Sequence, residues 1–271
     1  MRGCPAARGA AVTLKAPFAA QETMSSPRLL ALDTATETLH LALVQGDQVL
    51  TRALPGGAQS SALLLPAVAE LLAQAGWTLA QLDAVAFGRG PGAFTGLRSA
   101  CSVSQGLALG LDRPLIALDT LAAVAEAAFQ RGAGAQVWAL LDARMGEIYA
   151  APWRRIGPGH WAAPDDLAAG VDPAPCLYTP AALLRAIEAA PADLAGPGLD
   201  AHADALAAAP GRRLAAALPD GAALAVLARA AHARGAWIDP ALALPLYVRD
   251  KVAQTTVERG LARQAAASSA A

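Results

Sequence analysis

Lysine is nearly absent from this 271-residue chain: Lys15 and Lys251 are its two, and every other base is arginine. There is no excess charge either, with 21 Lys+Arg against 22 Asp+Glu and four His, for a net charge of −1. Autonomous nucleic-acid binders carry a clustered basic footprint, so any RNA in this protein's function is expected to be held by a partner. Cysteine is scarce. Cys4, Cys101 and Cys176 are an odd number, widely spaced and without a C-x-x-C pair, which excludes a disulfide framework and a cysteine metal site and points to a reducing cytoplasm. No apolar run is long enough to span a membrane. Aromatic residues make up 4% of the chain. His40, His160, His202 and His232 are remote from one another, no H-x-x-x-H pair occurs, and no G-x-S-x-G elbow is present. Neither a sequence-local metal site nor a complete nucleophilic active site is visible.

What is abundant is alanine, roughly a quarter of the residues. Together with the arginine bias this reads as coding-sequence composition, not as function. The length suits one large or two small domains. Residues 1–27 hold Arg2, Arg8 and Lys15 with no acid before Glu22; Lys15 interrupts what would be a secretory apolar segment. Because Met24 directly precedes Ser25, Ser26, Pro27 and the first strand, the segment is expected to be an over-long start or an extension outside the fold. Residues 253–271, ending Ala-Ser-Ser-Ala-Ala, are expected to be a disordered tail.

Between them, Arg28 to Asp33, Thr38 to Val44 and Gln48 to Leu54 read as an antiparallel meander. Leu64, Leu65, Val68, Leu71 and Leu72 mark a helix from Ser60 to Ala75, stopped by Gly76. A strand at Asp83 to Gly88, a helix at Thr95 to Leu111, a strand at Pro114 to Asp119 and a helix at Thr120 to Gln130 follow. This βββαβαβα order is that of a ribonuclease-H-like unit, expected over 28–130. After the glycine-rich joint at 131–134, strands at Val137 to Asp142 and Glu147 to Trp153 open a second unit, expected over 135–252. Leu140-Leu141-Asp142 followed by a polar turn and a strand repeats Ala31-Leu32-Asp33, which suggests duplication. Helices at Pro180 to Ala190 and Gly221 to Arg234, a strand at Asp193 to Gly196 and an extended segment at Leu244 to Arg249 complete it.

The stretch Gly88-Arg89-Gly90-Pro91-Gly92-Ala93-Phe94-Thr95-Gly96-Leu97-Arg98 lies between a strand and a helix. Its glycines and a Thr95 N-cap could bring backbone N–H groups to an anion, or could form a structural turn. It lacks the Gly-Lys-Ser/Thr of a P-loop, and Pro91 spoils a dinucleotide fingerprint. Asp33, followed by Thr34, and Asp142 each close the first strand of a half. In actin-like and sugar-kinase-like ATPases a carboxylate there holds magnesium, whereas the commoner role is to cap a turn. The residues that could face an anion or nucleotide are Asp33, Thr34, Gly90, Gly92 and Thr95. Asp165-Asp166 reads as a helix start. The helix from Thr95 to Leu111 is rich in Gly, Ala and Ser, which would serve either core packing or close approach of another helix.

Taken in order, Leu30 to Glu37, Gly88 to Arg98, Leu141 to Tyr149 and Pro245-Leu246-Tyr247-Val248-Arg249-Asp250 closely resemble the TsaB, or YeaZ, family from about Leu29 to Lys251. The resemblance implies an actin/Hsp70/sugar-kinase-like duplicate of two ribonuclease-H-like subdomains. It further implies a non-catalytic scaffold that pairs with TsaD in the threonylcarbamoyl modification of the anticodon-adjacent adenosine of tRNAs reading ANN codons. TsaE, an ATPase, would be a further partner, tRNA would be met through the complex, and the chain could self-associate without TsaD. No intrinsic cofactor is implied, with ATP or ADP bound only at the complex interface. The pairing helices would be Ser60 to Ala75 and Thr95 to Leu111, with Leu64, Val68, Leu97, Ala100, Cys101, Ser104 and Ala108 at the contact. The chain departs from the family at Gln59-Ser60, where His-Ser is frequent, and at Ser99-Ala100, where Ile-Gly is usual. A self-sufficient actin-like or sugar-kinase-like ATPase is the alternative.

Overall fold

The computed structural model describes residues 26–164, 167 and 171–249. The expectations for 1–25, for Asp165-Asp166 and for the chain beyond Arg249, including Cys4, Asp250 and Lys251, lie outside the described residues.

Strand β1 (Arg28–Asp33) is apolar on both faces, and all but its first residue are buried. A strand of that kind belongs inside a sheet covered on both sides. It is the centre of a five-stranded sheet, in the order β3-β2-β1-β4-β5. The Gly46-Asp47 turn folds β3 (Gln48–Pro55) antiparallel onto β2 (Thr38–Gln45), closing on the Gln45–Gln48 pair, and β2 is antiparallel to β1. On the other side, β4 (Ala84–Gly88) and β5 (Leu115–Leu118) run parallel to β1. Parallel neighbours need helical crossovers, and α1 (Ser60–Ala75) and α2 (Phe94–Leu111) supply them.

After α3 (Thr120–Gln130) the pattern recurs. β6 (Gln136–Asp142) is flanked by antiparallel β7 (Ile148–Gly157) and parallel β10 (Asp193–Ala195). β8 (His160–Ala162) and β11 (Arg213–Leu214) form the edges, and β9 (Cys176–Tyr178) pairs with β7. Helices α4 (Pro180–Ala189), α5 (Gly198–Ala201) and α6 (Gly221–Ala233) complete the second part. Two ribonuclease-H-like sheets built to one plan are the duplicate of the actin/Hsp70/sugar-kinase class.

Three cores follow from the alternation of the strands. Leu30 and Leu32 face α1 and α2, while Leu29 and Ala31 face a central layer. That layer is α3 and α6 packed on each other between the sheets, α6 against β1, β2 and β3, and α3 against β6. Its helices meet through Ala123, Ala125, Ala127, Ala128, Ala225 and Ala228, small enough for two helices to fit where large side chains would hold the sheets apart. The outer face of the second sheet is closed by α4 and α5 around Trp138.

Differences from the sequence reading are local. Helix α2 begins at Phe94, one residue before the expected start, and β7 runs on to Gly157. Leu244 to Arg249 is extended but joins no ladder. The pieces β8, β9 and β11 have two or three residues each, too few for any periodicity to announce them.

Candidate functional site

The glycine stretch leaves β4 and turns into α2 beside the link between β1 and β2. A Cβ at Gly88 would collide with the Asp33 carboxylate, and one at Gly96 with the Thr34 carbonyl. These two glycines therefore make room for the neighbouring chain. The amides are engaged in the same way: Arg89 N–H donates to Leu118 O (2.8 Å), Gly90 N–H to Thr120 Oγ1 (3.1 Å) and Ala93 N–H to Ala35 O (2.8 Å). Ala93, without a side-chain cap bond, precedes α2, so Thr95 sits in its first turn instead of at the N-cap.

Asp33 is at the centre of this knot and has no solvent exposure. Its Oδ1 accepts from Ala35 N–H (2.7 Å) and its Oδ2 from the Thr120 hydroxyl (2.8 Å). Burial pushes its pKa up from 3.8 to about 6, aided by the charge of Asp119 and resisted by those two hydrogen bonds. Asp119 caps α3 through Leu121 and Ala122 and is likewise lifted to about 6 by burial, against the pull of Arg89 3.8 Å away. Thr34 is buried and donates to Gly96 O (2.6 Å). Of the five residues read as anion-facing, Asp33, Thr34 and Gly90 are thus committed inside the protein. Gly92 reaches the cleft wall, and Thr95 is exposed, its carbonyl accepting from Ser99.

Asp142 repeats the turn of Asp33, its Oδ1 accepting from Arg144 N–H (2.9 Å), but it lies open to a cleft. His202 Nε2 stands 3.4 Å from the same oxygen. The cleft is ≈ 450 Å³, between the β1–β2 link and the start of α2 on one side and the β6–β7 turn with α5 on the other. Arg144 bridges it, pairing with Glu37 (2.6 Å) and Asp142 (3.4 Å). The segment 243–249 straps the two parts together. Leu246 N–H donates to Arg89 O (2.7 Å), Arg98 Nε to Tyr247 Oη (3.1 Å), and Arg249 binds Glu147 (2.8 Å) and Ala143 O (3.0 Å). Tyr149 and Arg249 line this cleft; they fall in the stretches Leu141 to Tyr149 and Pro245 to Asp250 that carry the family resemblance, and the repeated Asp-plus-turn points to the first of these.

The seven residues expected at a helix contact are buried within the chain. Leu64, Val68, Leu97, Ala100, Cys101, Ser104 and Ala108 are between 0% and 4% exposed within the chain itself. All but Leu97, which lines the cleft, belong to the stripe by which α1 and α2 seat on their own sheet, and the opposite stripe of the two helices is open. There Leu65 is 50% and Leu109 56% exposed, and Gly106 and Gly110 have open space where a Cβ would stand. Beside them a shallow groove of ≈ 250 Å³ is lined by Leu65, Ala69, Ala73, Trp77, Leu79 and Leu107 with Val68 and Leu72 at its floor, so Val68, of the seven, borders this outward side too.

Among the described residues no three His, Cys, Asp or Glu side chains come close enough to hold a metal ion, and no helix is long and apolar enough to cross a membrane. Cys101 and Cys176 are buried thiols, not a disulfide.

A family model described as TsaD, tRNA N6-adenosine threonylcarbamoyltransferase, matches residues 55–171. The tRNA threonylcarbamoyladenosine biosynthesis protein TsaB of Escherichia coli K12 is 40% identical over 134 residues, 49% of this chain and 58% of that protein. The TsaB of Haemophilus influenzae is 44% identical over 127 residues, 46% of this chain and 53% of that one. The chain thus spans a little over half the length of these curated relatives. Among solved structures, YeaZ from Pseudomonas aeruginosa superposes with a TM-score of 0.68 at 36% identity, covering 82% of this chain and 99% of that one.

Proposed function

The chain belongs to the TsaB/YeaZ family, and from that premise we propose that it is a non-catalytic subunit that pairs with a TsaD-type transferase in the threonylcarbamoyl modification of tRNA. The observation that carries the pairing is the outward stripe of α1 and α2. Glu70 and Arg98 are the sole charged residues on these two helices, and both are held within the chain, Glu70 by Arg52 (2.6 Å) and Arg98 by Tyr247 and Phe94. An apolar, small-residue face can be covered by another helix pair without stranding a charge and with close backbone approach.

The supporting chemistry is the scarcity of reactive groups. Asp33 occupies the position at which a solitary ATPase would hold magnesium, and here both its oxygens are spent on Ala35 and Thr120 in a dry site. In this reading catalysis belongs to the TsaD-type partner and nucleotide is met only where the subunits join. TsaE joins the assembly, the tRNA is held by the complex in the cytoplasm, and a self-dimer forms on the same face when the partner is missing.

The test is co-expression with a TsaD-type protein. Ala69→Arg and Gly106→Arg place a guanidinium on the open stripe, so each should retain the parent's Tm while co-purification is lost, because an unpaired charge buried in an interface costs several kcal/mol. Undiminished pairing in both variants refutes the face. Ala100→Arg and Ser104→Arg are unsuitable, since their positions have no exposure and the charge would disrupt the fold.

A further inference from the structure

Strand β3 closes the first sheet on one side, and its outer edge has no strand beside it among the described residues. The two-residue turn at Gly46-Asp47 makes Gln45–Gln48 a pair that exchanges both backbone hydrogen bonds. Such pairs recur at every second residue of an antiparallel ladder. The bond from Gly56 N–H to Glu37 O (2.7 Å) continues the same alternation past the end of the strand. Gln48, Leu50, Arg52 and Leu54 are therefore bonded to β2. The N–H and C=O groups of Val49, Thr51 and Ala53 point away from it, and none has a backbone partner among the described residues.

Soluble proteins blunt such an edge with short length, outward charge, a bulge, proline or a covering element. β3 is eight residues long, its register with β2 is unbroken, and its proline is its last residue. Its single charge, Arg52, is held by Glu70 of α1 (2.6 Å). Both α1 and α6 pack on β3, yet Val49, Thr51 and Ala53 remain exposed.

We propose that β3 pairs antiparallel with β3 of a second copy of this chain about a two-fold axis at Thr51, joining two five-stranded sheets into one. The choice of a second copy rests on self-complementarity. With Thr51 opposite Thr51, Val49 of each copy falls opposite Ala53 of the other, and all three outward N–H and all three outward C=O groups of each copy find partners. Threonine opposite threonine is a favourable cross-strand pair. No like charges meet, because Arg52 falls opposite Leu50 and Gln48 opposite Leu54. Pro55, which has no N–H, and the turn at Asp47 end the ladder at the same point. Main-chain bonds supply the affinity, as in other strand additions, and the two-fold contact closes at two copies. It uses the sheet edge, not the outward stripe of α1 and α2, and does not rest on the subunit pairing proposed above.

The experiment is sedimentation equilibrium and amide hydrogen exchange on the full chain carrying Ala69→Arg, which places a charge on the helix stripe and removes association through it. This protein should pass from monomer to dimer between micromolar and millimolar concentration. On dimerisation the amides of Val49, Thr51 and Ala53 should become protected, while those of Leu50, Arg52 and Leu54 are protected throughout. Adding Val49→Lys with Ala53→Lys sets like charges opposite each other twice and should weaken the dimer about tenfold. Val49→Lys with Ala53→Glu sets opposite charges there and should leave it as tight or tighter; both pairs of changes lie at exposed positions and should keep the Tm. A monomer at every concentration, a dimer in which the three outward amides stay unprotected, or equal dimerisation of the two charge patterns would each overturn the proposal.

Discussion

Replacing Asp33 by Asn separates its two readings, a metal-holding carboxylate and an internal tie. A carboxyl group lifted from 3.8 to about 6 on folding ionises at a cost of about 3 kcal/mol relative to the unfolded chain, since each pKa unit is worth about 1.4 kcal/mol. The sign follows from proton binding: between pH 4 and pH 6 the folded protein retains the Asp33 proton and the unfolded chain does not. That contribution therefore favours the fold below pH 4 and is lost as pH rises through about 6. Asparagine removes the ionisation while keeping both ties, its carbonyl accepting from Ala35 N–H and its amide donating to Thr120 Oγ1. Urea denaturation of Asp33→Asn and the parent at pH 4, 5, 6 and 7.5 should give a difference that moves by about 2–3 kcal/mol in favour of the variant as pH rises. Comparing the two proteins at each pH cancels the titration of groups that do not interact with Asp33, such as Asp193, whose pKa is lowered by Arg212, while Asp119, whose charge raises Asp33, is relieved in the variant and moves the difference in the same direction. A stability difference that is flat over that range would refute the buried-tie reading. A magnesium-dependent rise in the parent's stability that Asp33→Asn abolishes would refute it in favour of a metal-holding carboxylate.

Two further perturbations test the packing. Leu64→Ala, at a position with no exposure between α1 and the first sheet, should cost about 2–5 kcal/mol in urea denaturation, and a loss below 1 kcal/mol would place the residue outside the core. Trp161→Phe keeps the ring against Phe129 but removes the donor that reaches Glu126 Oε2 at 2.7 Å; with Glu126 2% exposed, about 1–3 kcal/mol should be lost, and a neutral effect would mean that another donor, such as Arg155 3.9 Å from the same oxygen, satisfies the carboxylate.

How much of this was legible in the sequence depends on whether one stretch of chain decides the outcome. Helix α1 has the expected bounds, because five apolar residues at three- and four-residue steps followed by Gly76 are a local signal. The repeat of Asp33 and Asp142 was also local, and the structure shows it to be one turn made twice, bonded at 2.7 and 2.9 Å to the amide two residues on. What could not be read was direction. Helix α2 carries two small-residue stripes, one through Ala100, Ser104 and Ala108 and one through Ser102, Gly106 and Gly110, and nothing within the helix says which meets its own sheet. The glycine loop is ambiguous for the same reason: amides freed of side chains approach a ligand or a neighbouring backbone equally well, and only the fold brings Thr34 and Ala35 there. The alanine bias, too, acquires a use that its origin in coding composition does not explain. In α3 and α6 it lets two helices share the space between two sheets, so a larger residue at Ala123 or Ala225 would have to push the sheets apart or leave the layer.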